Sequence, residues 1–475
     1  MPFYTWLRPY PYDDVDILAT KLRAAQKIKA LRAAIEAHIN AAELAKGTEL
    51  PSDTSRFVRI ATWNLREFDS PSYGHRSLES IAYIAEIISY FDLIALQEIR
   101  HDLHALGDLK NLLGPNWDYI ATDVTESSSG NTERMAFLFN REKVWFRNVA
   151  GELALPMGQK VTDSFGDHFK VEGGAQFELP TGQVLESPKG LKTQTLASGQ
   201  TKIEEDVEIP FPAGTKIVLP QGSSVCFPKN ARVPISADGS IDIEATATPK
   251  LPESGEIVLP PNSLLSGPKH FARTPFVTSF QAGWMKINLA IVHIYYGTGA
   301  AGIERRKDEI RRLTALLADR AKSDSDSDAD SYFIVLGDFN CFSPEHEMID
   351  ALRSNEFLVP EPLQRIHGSN VKQYKFYDQI ALWTGESSHR KKYTRIIPYR
   401  AGVFDFFEVV YRMEEEDTYR PFMRKPNSDD FYTSYASWRT FQMSDHLPMW
   451  VELHIDFSRD YLDEIEADIR AHIDR

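Results

Sequence analysis

The sequence predicts a layered α/β fold interrupted by an inserted all-β repeat domain. Short apolar runs of strand length alternate with helical periodicities over residues 57–150 and again over 273–456. Alternation of this kind builds sheets covered by helices. Between them, 151–272 loses every helical period, becomes punctuated by Pro and Gly, and repeats itself at a shift of 40 residues.

Taken in order, Leu18, Leu22, Ile28, Leu31, Ile35 and Ile39 recur at spacings near three and four behind Asp13-Asp14. That pattern is an acid-capped amphipathic helix or helix pair, packing on its own domain or offering a face to a partner. Residues 58–63, 93–96, 135–139, 287–292, 333–336 and 449–453 are β-branched or aromatic runs and read as strands. Helical patterns occupy 78–90 and 304–321, and the Ser/Asp tract 323–330 reads as a charged, solvated loop. The expected organisation is an N-terminal helical extension (1–56), a discontinuous α/β domain (57–150 and 273–456), the inserted β domain (151–272) and a C-terminal helical tail (457–475).

Within the insertion, Phe177-Glu178-Leu179-Pro180 falls on Ile217-Val218-Leu219-Pro220 and on Ile257-Val258-Leu259-Pro260. Pro188-Lys189 likewise falls on Pro228-Lys229 and Pro268-Lys269. Such a period indicates stacked or pseudo-symmetric β units, about three degenerate copies, compatible with a sandwich, a trefoil-like barrel or a short solenoid.

A chain of 475 residues exceeds the roughly 250–300 at which a single core stops growing. With 53 Lys+Arg against 68 Asp+Glu, the net charge of −15 excludes coating nucleic acid or membrane by bulk charge. Binding a polyanion then requires local basic patches or bound cations. The only cysteines are Cys226 and Cys341, no secretory pattern opens the chain and no apolar run is long enough to span a bilayer. A cytoplasmic, disulfide-free protein without a membrane span is expected.

The chemistry gathers where strands end. Asn64 ends the run 60–63, Glu98 follows 93–97, His293 ends 287–292, Asp338 and Asn340 follow 334–337, and Asp445-His446 precedes 447–450. Side chains at such ends open onto a cleft. Asn, Glu and Asp supply hard oxygen ligands suited to Mg²⁺ or Mn²⁺. If Glu98, Asp338 and Asp445 converge, their repulsion calls for a cation. Each residue alone also has an ordinary role as turn residue, helix acid, buried histidine or cap.

In order, however, Ala61-Thr62-Trp63-Asn64-Leu65, Leu96-Gln97-Glu98, Arg273-Thr274-Pro275-Phe276, Val292-His293, Gly337-Asp338-Phe339-Asn340, Tyr377-Asp378-Gln379-Ile380 and Ser444-Asp445-His446-Leu447-Pro448 resemble the endonuclease/exonuclease/phosphatase superfamily. The resemblance implies a four-layer αββα sandwich of two packed mixed sheets with the site at one end. It implies Glu98 as principal metal ligand with Asn64, and Asp445 on the same or a second ion. It makes Asp338 the group that orients or deprotonates water, and Asn340 the holder of the scissile phosphate. His446 polarised by Asp378 resembles the family's acid/base histidine, and His293 the one that contacts phosphate or protonates the leaving oxygen. Arg273 matches a phosphate-contacting arginine. Glu133 is a candidate partner of His293, and Arg134 a further phosphate contact.

The expected function is metal-dependent phosphodiester hydrolysis with DNA or RNA as substrate. The basic run 389–395 is a possible backbone contact. The alternatives are a phosphatase or phospholipase acting on a phosphoinositide, sphingomyelin or nucleotide, and an inert scaffold that binds partners through the insertion. Residues 151–272 and the N-terminal helix are the candidate surfaces for a protein partner or oligomer contact. Cys341 reads as an inert buried thiol.

Overall fold

The computed structural model describes residues 1–44, 56–70, 72–100, 102–123, 133–153, 273–296, 299–327, 331–343, 347–353, 355–365, 367–384, 398–425, 431–456 and 458–473, with seven short strands between 160 and 242. The basic run 389–395 and Cys226 lie outside these residues. The chain divides into two compact units, 1–153 with 272–475, and 154–271.

In the first unit, strands β1 (Phe57–Phe68), β2 (Leu93–Arg100), β3 (Trp117–Ala121), β4 (Glu133–Asn140) and β5 (Trp145–Glu152) precede the second unit. Seven strands, β6 (Lys160–Thr162), β7 (Gln176–Glu178), β8 (Thr193–Thr195), β9 (Thr201–Ile203), β10 (Lys216–Val218), β11 (Arg232–Pro234) and β12 (Ser240–Asp242), belong to the second. The first unit resumes with β13 (Phe276–Ala282), β14 (Met285–His293), β15 (Ser331–Asp338), β16 (Phe357–Leu358), β17 (Asp378–Trp383), β18 (Pro398–Val403) and β19 (Met449–His454). Its helices are α1 (Val15–Ala41), α2 (Leu78–Ile88), α3 (His104–Leu113), α4 (Gly299–Ser327), α5 (Glu347–Arg353), α6 (Glu361–Gln364), α7 (Glu416–Tyr419), α8 (Tyr435–Gln442) and α9 (Ser458–Ile473).

Two six-stranded sheets result, ordered β18-β19-β1-β2-β4-β3 and β16-β17-β15-β14-β13-β5. Both are mixed: β1·β2 and β14·β15 run parallel, their neighbours antiparallel. They face each other through aromatic side chains, with Phe137 of β4 5.6 Å and Phe139 5.3 Å from Phe280 of β13, ring centre to ring centre. Strand alternation then sends Ala61, Trp63 and Leu65 to the opposite face, where they join Ile81, Ile84 and Ile88 of α2 and Leu106 and Leu109 of α3 in one core. The buried residues Ile310, Leu313 and Leu317 of α4 and Met348 and Leu352 of α5 belong to the helices of the other outer layer. This is the expected four-layer sandwich.

Helix α1 is one helix of 27 residues, capped as expected by Asp14, whose carboxylate accepts the Ile17 amide at 2.8 Å. Its buried Ala24, Ile28, Leu31, Ile35 and Ile39 lie against the first unit, and Ile28 to Ile39 belong to the same core cluster as Trp63. Arg23 and Arg32 fork onto the buried carboxylates of Glu79 and Glu86 of α2. The 1–56 segment therefore contributes a core helix to the catalytic unit, while Leu18 and Leu22 stay exposed. The Ser/Asp tract also differs from expectation: α4 continues to Ser327, since an established helix extends one hydrogen bond at a time.

In the second unit, β12-β10-β7-β9-β8 form one sheet and β11-β6 pair separately. The repeat-related segments are direct neighbours: β7 and β10 pair antiparallel with Phe177 opposite Ile217. Outside them, β9 pairs with β7 and β12 with β10. The third copy at 257–260 lies outside the described residues.

Candidate active site

Topology explains why distant residues meet. Parallel pairing of β14 and β15 sets His293 beside Asp338, and antiparallel β17 sets Asp378 on the other side of Asp338. On the facing sheet, Asn64 on β1 is level with Gln97 on β2, one residue before Glu98, and antiparallel β4 begins there with Glu133 opposite Arg100. Asp445 and His446 enter from the loop before β19, which runs antiparallel to β1.

Local backbone kinks aim these side chains. Register slips between Asn64 and Phe68 and between Leu96 and Ile99 mark bulges. Arg66 (φ +40), Glu67 (φ +52), Glu98 (φ +59) and Asn340 (φ +53) all adopt the left-handed region. Such conformations cost free energy and persist where the surroundings enforce them. Gly337 at φ +138 has no alternative, because a Cβ there would collide with the Val292 carbonyl.

Asp338 is the centre of the cluster. Its Oδ2 lies 3.1 Å from Asn64 Nδ2, 3.5 Å from His293 Nε2 and 3.8 Å from His446 Nε2. Its Oδ1 accepts the Asn340 amide at 2.9 Å. Asn64 Nδ2 also donates to Glu98 Oε1 at 2.8 Å, and Glu98 Oε2 accepts the Glu67 amide at 2.8 Å. The Asn340 side chain donates to the Ile294 carbonyl at 2.9 Å, while Arg306, fully buried on α4, donates to the Asn340 carbonyl at 2.6 Å.

Each histidine has its own carboxylate. His446 Nδ1 lies 2.7 Å from Asp378, whose amide is received by Ser369 Oγ at 3.0 Å, and the imidazole stacks on Tyr377 with centroids 5.3 Å apart. His293 Nδ1 lies 3.0 Å from Glu133, which also pairs with Arg273. The electrostatic outcomes diverge. Burial and the neighbouring Arg273 cation hold His293 down to about 4, against the opposing pull of Asp338 and Glu98. Burial would lower His446 as well, but the Asp378 and Asp338 carboxylates outweigh it and raise its pKa well above the ordinary value. Burial pushes the Cys341 thiol up, far from nucleophilic use.

Glu98, Glu133 and His293 form a group able to hold a metal ion, with ligand atoms all within 4.8 Å of one another. Glu133 is engaged by Arg273 and His293, which leaves Glu98 as the carboxylate best placed to take a cation together with Asp338 opposite it. Carboxylate oxygens crowded around one amide fit Mg²⁺ or Mn²⁺.

Two predicted residues stand apart. Asp445 is 45% exposed, with its carboxylate 3.6 Å from Arg66 Nε rather than at Glu98; the loop turns inward only at His446. Arg134 donates to the Thr122 carbonyl at 2.6 Å and pairs with Asp123. It sits next to Glu133 on a strand, so the two side chains take opposite faces and only Glu133 enters the site. Arg66, Glu67, Ser369, Tyr377 and Arg306 support the site without having been singled out from the sequence. Only the nearness of Arg66 to Asn64, two residues before it, and the adjacency of Tyr377 to Asp378 could have signalled any of them.

Residues 61–163 match the Endonuclease/Exonuclease/phosphatase family. No curated protein matches the chain. Among solved structures, the chain is similar to humanized D. rerio TDP2, with 10% identity and a TM-score of 0.38 over 84% of this chain and 99% of that chain. It is similar to the mannosyl-6-phosphatase Bt3783 of Bacteroides thetaiotaomicron VPI-5482, with 14% identity and a TM-score of 0.36 over 83% and 99%. The human Nocturnin catalytic domain gives 12% identity and a TM-score of 0.35 over 84% and 93%. Among the described residues, no helix is long and apolar enough to cross a membrane.

Proposed function

We propose, from the match of residues 61–163 to the Endonuclease/Exonuclease/phosphatase family, that this chain is a divalent-metal-dependent phosphodiester hydrolase of that family, cleaving DNA or RNA. The observation that carries this reading is the convergence of Asn64, Glu98, His293 and His446 on Asp338, with each histidine backed by a carboxylate.

In-line hydrolysis needs a positioned water, neutralised phosphoryl oxygens and a proton for the leaving group. A bound Mg²⁺ or Mn²⁺ at Glu98 would supply the neutralising charge. Asp338 orients the attacking water, whose oxygen bonds to phosphorus as the ester P–O bond breaks. His293 is kept neutral, and its Nδ1 lies 3.0 Å from Glu133; in the tautomer that carries its proton on Nδ1, Nε2 has a lone pair beside Asp338 to receive the water proton. His446 is kept protonated by Asp378 and Asp338, and its Nε2–H supplies the proton taken up by the leaving alkoxide. Asn340 and Arg273 would hold the phosphoryl group.

Full-length protein should be incubated with Mg²⁺ or Mn²⁺ and plasmid, single-stranded DNA, RNA, a phosphoinositide and sphingomyelin. Cleavage of nucleic acid that vanishes in chelator is expected. Release from the lipids alone would transfer the same site to a lipid phosphoesterase, and turnover undiminished in chelator would overturn the mechanism.

A further inference from the structure

We propose that Tyr73, Phe441 and Arg66 form a stacking subsite for a nucleobase beside the catalytic centre. The inference deepens the phosphodiesterase reading and rests on it.

Arg66 follows Asn64 by two residues, and its amide donates to Asn64 Oδ1 at 2.8 Å. The bulge and the left-handed φ angles of Arg66 and Glu67 turn its side chain toward α8. There the guanidinium carbon lies 3.9 Å from the Phe441 ring centre, and its head contacts the Thr440 hydroxyl. Tyr73 stacks on Phe441 with centroids 4.1 Å apart and planes 12° from parallel. Two groups each about 4 Å from one ring centre cannot share a face, so Phe441 is sandwiched between Tyr73 and Arg66. The Tyr432 hydroxyl fixes the Tyr73 carbonyl at 2.7 Å. Phe441 is covered, whereas Tyr73 is 37% exposed and offers the open end of the stack.

The position and charge of this stack select its ligand. Arg66 Nε lies 3.6 Å from Asp445, the residue before His446, so the platform adjoins the reacting centre. The same carboxylate balances the guanidinium, which leaves a nearly neutral π surface rather than a second phosphate clamp. Parallel rings backed by a cation favour a flat aromatic ligand, and stacking of this kind accepts any base. A sugar or acyl headgroup has no planar face to extend the stack.

The test measures binding of a fluorescent single-stranded oligonucleotide by anisotropy, using full-length protein carrying His446→Ala to suppress turnover in Mg²⁺. Tyr73→Ala should weaken binding about tenfold, as for one lost base stack, and Tyr73→Trp should restore it. An oligonucleotide with abasic residues should bind the Tyr73 protein as weakly as the ordinary one binds Tyr73→Ala, with no further loss on combining the two changes. Competition by a mononucleotide at similar affinity identifies a free nucleotide as the source of the base; competition only by oligonucleotides identifies a strand.

Equal binding of abasic and ordinary oligonucleotides, indifference to Tyr73→Ala, or displacement by phosphoinositide vesicles with no base effect would overturn the subsite. Hydrolysis of bis(p-nitrophenyl) phosphate by the unsubstituted protein separates the two readings. If that diester is cleaved while the base arms fail, only the subsite falls. If it is not cleaved while base-dependent binding persists, the subsite stands and the reaction falls.

Discussion

The Nδ1 atom of His446 lies 2.7 Å from the carboxylate of Asp378, and both side chains are buried. The contact joins the two sheets, because Asp378 opens β17 while His446 precedes β19. With Nδ1 committed to Asp378, Nε2 is the atom left to face Asp338 at 3.8 Å. A carboxylate placed in this way fixes the tautomer and stabilises the imidazolium.

Asp378→Asn should therefore lower kcat by roughly 10²–10⁴-fold while changing KM little. The folded pKa of His446 is raised, so its proton is held through neutral pH and lost as pH rises through that value. Removing the carboxylate lowers the pKa, and the alkaline limb of the kcat profile should move to lower pH. The linked stability follows the same sign: the pair's contribution is complete below the unfolded value of about 6.5 and disappears as pH rises through the folded one. An alkaline limb that stays in place in Asp378→Asn would remove His446 from the proton-donating role.

Glu98→Gln tests the cation. Calorimetric titration should show Mg²⁺ or Mn²⁺ affinity falling at least tenfold, since the substitution replaces a charged oxygen ligand. His446→Ala should bind the ion with near-parental affinity and lose turnover. Chelation should abolish activity and either ion should restore it. Metal affinity that survives Glu98→Gln would shift the ligand role to Glu133 or Asp338.

Glu133 is held between the Arg273 guanidinium and His293, all three buried. Glu133→Gln would leave the Arg273 charge without its partner in a poorly solvated place. Removing one member of such a pair costs about 3–5 kcal/mol, so the urea midpoint should fall clearly, and kcat should fall with it as His293 loses its orienting group. A variant as stable as the parent would show that solvent already reaches Arg273.

The sheets and the main site residues were legible in the sequence because strand periodicity and short ordered motifs are local signals. His293 and Asp338 end β14 and β15 as expected, whereas Asn64 and Glu98 sit at the irregularities within β1 and β2, which run on to Phe68 and Arg100. What escaped was set by non-local geometry. The left-handed turns at Arg66 and Glu98 come from bulges that only strand pairing reveals. The family resemblance implies Asp445 as a ligand, and its side chain turns out to Arg66. Glu133 and Arg134 were indistinguishable as neighbours until the face of β4 toward the site was known. Helix α1 packs on its own domain, one of the two roles its periodicity allowed, although nothing local shows that Leu31 and Ile35 fill the same core as Trp63.

The final prediction concerns residues 154–271. The strands that flank them, β5 and β13, pair antiparallel from Trp145 opposite Gln281 to Glu152 opposite Phe276, and the Leu153 amide donates to the Pro275 carbonyl at 2.8 Å. The chain thus leaves and re-enters the first unit at neighbouring points, as a hairpin loop would. Insertions at such points add little closure cost, because doubling a loop's length costs only about 0.6 kcal/mol. None of the site residues lies within the segment. Replacing 154–271 by a short Gly/Ser linker should therefore leave a cooperatively unfolding, metal-binding protein that hydrolyses a small activated diester with kcat/KM within a few-fold of the parent. Arg273, just beyond the segment, touches Glu133 in the site, so selectivity toward large substrates should change when the segment is removed. A shortened chain that cannot fold would make the segment part of the catalytic unit. Unaltered preference among plasmid, RNA and the small diester would separate it from substrate selection.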